Sequence, residues 1–226
     1  MWREMPSQFS ECFQVSSEGR FYAKQLAMTR VAGRIKLFDH EPEYPVLGFW
    51  DIGSRDGTGL WLMQKVDNER RFLKYIENWF QGYSTTIDEA VATGYRITQM
   101  YLPHDAEQER QTREGKISPK MILEGMMPQW DWIIVPRVAT LEVGIEITRK
   151  HFAKAIFHAE GCKEGLIHLG NYQQRWNSAV GAWAPEHLKN EATEAADSFR
   201  QWAQMEENGL FQETKGRSRY PSARVV

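Results

Sequence analysis

Two apolar runs, Val46 to Ile52 and Leu60 to Val66, constrain the fold of this chain most. They are joined by Gly53-Ser54-Arg55-Asp56-Gly57-Thr58-Gly59. An Asp-Gly pair inside such a gap is a hairpin signal, because these residues tolerate the positive φ of a tight turn. The continuous run Leu60-Trp61-Leu62-Met63 shows no polar alternation, so its strand is expected to be covered on both faces.

Further strands are predicted at Glu11 to Ser17, Val31 to Phe38, Tyr95 to Leu102 and Trp132 to Val135, and at the alternating run Leu141 to Ile147. A helix is predicted from Asp67 or Asn68 to Gln81, because Phe72, Tyr75, Ile76, Trp79 and Phe80 recur at spacings of three and four. Thr86-Ile87-Asp88-Glu89 reads as a capping box, and Ser118-Pro119 as a cap followed by proline at the first helical position. Two more helices are predicted, Thr148 to Glu160 and Pro185 to the Asn208-Gly209 stop. The very polar residues 103–117 read as an exposed helix or a mobile insertion. These elements predict one α+β domain over residues 1–211 with a polar insertion around 103–117, followed by a basic tail over 212–226. Its core is expected to be an antiparallel sheet with helices mainly on one face.

Composition narrows function by exclusion. A chain of 226 residues buries a core without disulfides or metal. Its net charge of −2 is not that of a protein coating bare duplex DNA, so a nucleic-acid surface must be local. Cys12 and Cys162 are isolated from each other, which fits free thiols in a reducing cytoplasm and gives no zinc spacing. The absence of an apolar block of membrane-spanning length argues against a membrane partner, and Met1 to Pro6 lacks the apolar core of a signal peptide. There is no Gly-x-Ser-x-Gly elbow, phosphate loop or His-Glu-x-x-His motif, so no catalytic residues, metal or cofactor are assigned, and the balance leans away from an enzyme. One catalytic alternative stands apart. His40, flanked by Asp39, Glu41 and Glu43, has the carboxylate neighbours that tune a general base or serve a nuclease metal.

The strongest binding candidate is the glycine- and amide-rich segment 161–183. Gly161, Gly165, Gly170 and Gly181 permit close backbone approach to a ligand. Tyr172, Arg175 and Trp176 are the residue types that stack on unpaired bases. On the predicted helix before it, His151, Lys154 and His158 share one face, and Lys154 and His158 are candidates for phosphate contacts. Arg217 and Arg219 in the tail would add a flexible electrostatic arm.

A strand, a helix and then Ile167, Leu169, Gly170, Tyr172 and Arg175, with Gly181 and Trp183 beyond, resemble the C-terminal glycine-rich loop of the RAMP superfamily. These are ferredoxin-like (RRM-like) proteins of CRISPR effector complexes, with related-looking phage proteins. The resemblance covers residues 130–184. It implies a ferredoxin-like core with insertions and a non-catalytic subunit of an antiviral-defence or phage assembly. Such a subunit would bind RNA or single-stranded DNA together with other protein subunits. A structural subunit built on Trp and Tyr interfaces, without nucleic acid, is the first alternative; a small metal-dependent nuclease is the second.

Overall fold

The computed structural model describes residues 18–53, 57–112 and 115–211. Cys12, the strand expected at Glu11 to Ser17, and the tail arginines Arg217 and Arg219 lie outside the described residues. The centre is a seven-stranded sheet in the order β1-β9-β4-β3-β2-β5-β8. Its strands are β1 (Ile35–Lys36), β2 (Val46–Ile52), β3 (Gly57–Val66), β4 (Glu69–Trp79), β5 (Ile97–Leu102), β8 (Asp131–Ile134) and β9 (Ala155–His158). The hairpin predicted from the two apolar runs is β2–β3, and β3 is buried along its length except at Lys65. β3 is antiparallel to both its neighbours, and the other four pairings are parallel. Six strands therefore run one way and β3 alone runs against them.

Helices cover both faces. Against one lie α1 (Ala23–Val31), α4 (Leu141–His151), α5 (Lys163–Asn171) and α6 (Ala192–Asn208), over a core that includes Trp61, Phe72, Phe157, Phe199 and Trp202. Against the other lie α2 (Tyr83–Ala92) and α3 (Pro119–Met126), over Trp50, Leu60, Leu62, Ile76 and Leu123. This corrects the expected antiparallel, ferredoxin-like sheet with helices mainly on one face. The physical reason lies in the strands: a sheet buried on both faces reads as continuous apolar runs, as β2 and β3 do, and such runs do not disclose which way each strand points.

Two elements were misread because a local irregularity disguised their period. The predicted helix over 67–81 is strand β4. Leu62 pairs with Lys74 but Met63 pairs with Phe72, so Leu73 is the extra residue of a β-bulge. The bulge shifts the phase of the strand, turning a period of two into spacings of three and four. The predicted strand over 141–147 is helix α4. Its buried residues are Gly144, Ile145, Thr148 and His151, and the Thr140 side chain accepts a hydrogen bond from the Val143 amide as its N-cap. The chain then leaves the helix at His151, so residues 155–158 are strand β9 rather than the second half of a helix. Residues 110–117 form a small hairpin of β6 (Arg110–Thr112) and β7 (Gly115–Ile117). The Ser118 cap and the Gly209 stop, in left-handed conformation, are as predicted.

α6 crosses the middle of the sheet and is fixed there by polar bonds at successive turns. The Trp61 indole N–H donates to the Ala195 carbonyl at 2.9 Å, and the Gln201 amide donates to the Trp50 carbonyl at 3.0 Å. The helix comes this close because residue 59 has no side chain. A Cβ there would sit 2.8 Å from the Glu194 carbonyl oxygen. Gly59→Ala is therefore expected to lift the first turn of α6 and to cost about 1–3 kcal/mol. Urea unfolding would show this as a lower midpoint at unchanged slope; an unchanged midpoint would mean that α6 does not depend on this close approach.

Candidate active site

The carboxyl ends of β2, β5 and β8 lie side by side, and a crevice beyond such strand ends is where open α/β sheets place ligands. Here the crevice is a cleft of about 310 Å³. Asp51 enters it from the end of β2, His104 and Asp105 from the turn after β5, and Arg137 from the segment after β8. Asp197 and Arg200 close it from α6. The sheet register places Asp51, Gly59 and Glu77 in one row across β2, β3 and β4, on the face that α6 covers. The vacancy at Gly59 lets Glu194 of α6 sit over that row, beside Asp51.

Electrostatics sets this corner apart. Burial, then the nearby charges of Asp197 and Glu194, and a hydrogen bond with Glu194, push the Asp51 carboxyl well above the usual carboxylate range. Two carboxyl groups share a hydrogen bond only if one holds a proton, and the charge of Arg200 opposes the shift without cancelling it. Asp197 has a partner of its own in Arg200, at 2.7 Å. Arg200 reaches it through the space left by Gly144 of α4, where a Cβ would lie 2.6 Å from the arginine Cδ. Among the described residues, no group of three His, Cys, Asp or Glu side chains converges tightly enough to make a ready-built metal cluster. The Asp51–Glu194 pair nevertheless fits a hard divalent cation. Ions of the magnesium class are commonly held by one or two carboxylates and complete their shell with water and phosphate oxygens.

At the far side of the row, Glu77 and His168 of α5 pair at 2.9 Å, and the Tyr75 hydroxyl donates to Glu77 at 3.2 Å. The hydrogen bond that His168 donates to the Glu77 carboxylate raises the His168 pKa, against a smaller opposing effect of burial. Burial works against the Glu77 charge, but the hydrogen bond and charge of His168 outweigh it and hold Glu77 below its usual 4.5. The raised histidine contributes stability below pH 6.5 that is lost as pH rises through its folded value. The lowered glutamate contributes stability above pH 4.5 that is lost as pH falls through its folded value. The pair therefore stabilises most between these limits. Glu77→Gln is expected to cost about 1 kcal/mol there for a partly exposed pair, and to return the His168 titration, followed by NMR, toward 6.5. A His168 titration unmoved by the substitution would show that the pair does not form.

The residues singled out from sequence lie in several places. Lys154 follows α4 in a short turn and is ion-paired to Glu206 at 2.8 Å. His158 ends β9, where its Nδ1 accepts from the Gly161 amide at 2.9 Å. Tyr172 is fully buried, with its ring 4.8 Å from that of Phe21 and its hydroxyl 3.5 Å from Arg200. Arg175 and Trp176 lie on the exposed strand β10 (Gln174–Asn177), which pairs with β11 (Ala182–His187) in a two-stranded ribbon. The Trp176 ring is half exposed and meets Trp183 edge-on. The segment expected as a loop from Gly165 to Trp183 is thus the body of α5 plus this ribbon. His40 packs against Tyr95, and Glu41 pairs with Arg71, all at the start of β2. Five residues of strand separate that loop from Asp51, about 17 Å, so it lies at the opposite end of the strands from the cleft. The acidic cleft itself was not found from sequence. Its signals were an aspartate closing an apolar strand and the i, i+3, i+6 line Glu194-Asp197-Arg200, hidden within a helix read for its apolar stripe alone.

Neither a protein-family model nor a curated protein matches this chain. Solved structures do. The nuclease domain of the phage P22 large terminase superposes with a TM-score of 0.53 at 13% identity, covering 84% of this chain and 93% of that one. The large terminase nuclease of the thermophilic phage G20c, solved with bound cobalt, gives 0.53 at 10% identity, covering 83% and 98%. A large terminase from another thermophilic bacteriophage gives 0.55 at 12% identity, but the chain spans only 43% of its length. The fold is that of these domains, ribonuclease H-like. This overturns the RAMP resemblance, together with the CRISPR and antiviral-defence setting and the non-catalytic, RNA-coating subunit that it implied. The alternating strand and the helix that carried the resemblance are helix α4 and strand β9 in the structure, so that order of elements is reversed. No helix among the described residues is long and apolar enough to cross a membrane.

Proposed function

We propose that this protein is a metal-dependent nuclease of the large-terminase type that cleaves DNA at the cleft lined by Asp51 and Asp197, with Glu194 beside Asp51. The observation that carries this reading is the buried Asp51–Glu194 carboxyl pair at the carboxyl end of β2. The G20c terminase nuclease, which shares the fold, has been solved with bound cobalt and with bound magnesium. In this chain Asp51 and Glu194 would hold the cation. When bound, it would polarise a phosphodiester oxygen and lower the pKa of a coordinated water.

The protein groups supply the rest. Asp197, held by Arg200, keeps a fixed orientation at the cleft wall and presents a carboxylate that can orient water. His104 and Arg137 line the same cleft, where a cationic guanidinium suits a phosphate oxygen. The β10–β11 ribbon would present Arg175 to phosphate and Trp176 to a base or sugar, and the Arg217 and Arg219 tail would add non-specific attraction. We further infer that the chain works in the cytoplasm alongside other subunits.

The test is cleavage of linear duplex DNA by the purified chain with magnesium or manganese and with chelator. The wild type is expected to cut only with metal. Asp51→Asn, folded by circular dichroism, is expected to lose about 10²–10³-fold in rate, as when one preorganised charged group is removed. Arg175→Ala with Trp176→Ala is expected to weaken binding by about 1–3 kcal/mol. Metal-independent cutting, or full activity in Asp51→Asn, would refute the assignment.

A further inference from the structure

A groove of about 920 Å³ runs between α1, α4 and α5, outside the acidic cleft. Arg20, Lys24, Arg30 and Arg149 line it, and no aspartate or glutamate does. Four cations without a carboxylate stand out in a chain of net charge −2. Two of the four are pinned to the backbone: Arg20 donates to the Gly170 carbonyl at 2.8 Å, and Arg149 to the Phe21 carbonyl at 2.9 Å. Arg149 also pairs with Glu146 on the outer side of α4. The charged ends of Lys24 and Arg30 have no hydrogen-bond or ion-pair partner among the described residues. Leu26 and Leu166 line the groove beside them, and Ile167 is nearly half exposed.

The groove also connects to the cleft. Phe21, on its wall, packs with a tilted ring against Tyr172, whose hydroxyl faces the Arg200 that holds Asp197. Arg20 bridges to Gln173 at the foot of the β10–β11 ribbon. Along α4, Leu141 lines the cleft and Arg149 lines the groove. Eight residues of helix separate them by about 12 Å. One strand of duplex carries a phosphate about every 3.4 Å, so this span corresponds to roughly three to four nucleotides.

We propose that this groove is a second phosphate-binding track, which grips a DNA strand roughly three to four nucleotides from the phosphate held in the acidic cleft. The inference rests on the nuclease reading and adds a site to it. Arg20 and Arg149, held rigid, set the line of the backbone, while Lys24 and Arg30 neutralise phosphates and release their counterions. The apolar floor is compatible with the sugar edge of a strand.

The test is fluorescence anisotropy of a labelled duplex on the full chain, without divalent metal, across a salt series. Lys24→Glu with Arg30→Glu is expected to weaken binding and to make the dependence of log K on log salt shallower by about two units, one per lost phosphate contact. Lys65→Glu, near the end of β3 and outside the groove, is a charge-reversal control of half that charge change and is expected to leave the slope unchanged. Wild-type affinity and slope in a folded Lys24→Glu, Arg30→Glu double variant would overturn the track. It would equally be overturned if that variant lost binding of a free nucleotide such as ATP and kept duplex binding, because the groove would then be a mononucleotide pocket. The nuclease reading fails separately: a wild type that binds duplex with the predicted slope but does not cut it with metal keeps the track and loses the reaction.

Discussion

The seating of α6 on the β2–β3 hairpin is the contact on which the rest of this molecule depends. Gly59 removes the side chain that would hold the helix away, and the Trp61 and Gln201 bonds fix the helix axially. At the opposite end of the helix, Glu206 takes a bidentate bond from Arg70 at 2.8 and 2.9 Å and a third contact from Lys154. The Arg70–Glu206 pair is almost completely buried. Losing one partner of such a pair leaves an uncompensated charge, which costs about 3–5 kcal/mol. The helix is thus pressed down at its first turn and tied at its last. The rings of Phe199 and Trp202 fill the space between, within 5.1 Å of Phe72.

This seating explains why acidic groups converge where they do. Asp51 comes from the sheet and Glu194 from the helix, and neither would meet the other unless the first turn of α6 lay against β3. The packing that stabilises the fold therefore also assembles a destabilising feature, two carboxyl groups held close together in a buried place. Strain of this kind is common where a fold keeps a site for a ligand, because the missing charge is supplied on binding. Arg200 pairs with Asp197, and its charge also acts on Asp51 against the larger effects of burial and of the Asp197 and Glu194 charges.

Some of this was legible in the sequence. The hairpin at 46–66 and the Ser118 and Gly209 boundaries follow from turn and cap chemistry, which acts over a few residues and needs no tertiary context. β4 was unreadable because Leu73 bulges and breaks the alternation, and α4 because its Leu, Val and Ile residues happen to alternate while its cap at Thr140 went unweighed. The sheet order could not be read at all, since it depends on which strand ends meet across more than a hundred residues. The cleft inherits that problem: Asp51 and Glu194 are 143 positions apart, and only the parallel sheet and the crossing helix bring them together. The aromatic-rich segment drew attention in the sequence because aromatic and basic side chains mark surfaces, and Arg175 and Trp176 are indeed exposed. Tyr172, from the same segment, went into the core instead, against Phe21 and Tyr22.

The central claim is that the Asp51–Glu194 pair is a cation site, and ion-dependent stabilisation measures it without reference to catalysis. A ligand that binds only the folded state stabilises it by RT ln(1 + [L]/Kd). Millimolar manganese is expected to raise the melting temperature of the wild type. It is expected to leave that of Asp51→Asn, which no longer presents the paired charges, unmoved. An equal rise in both proteins, or none in the wild type, would contradict the account.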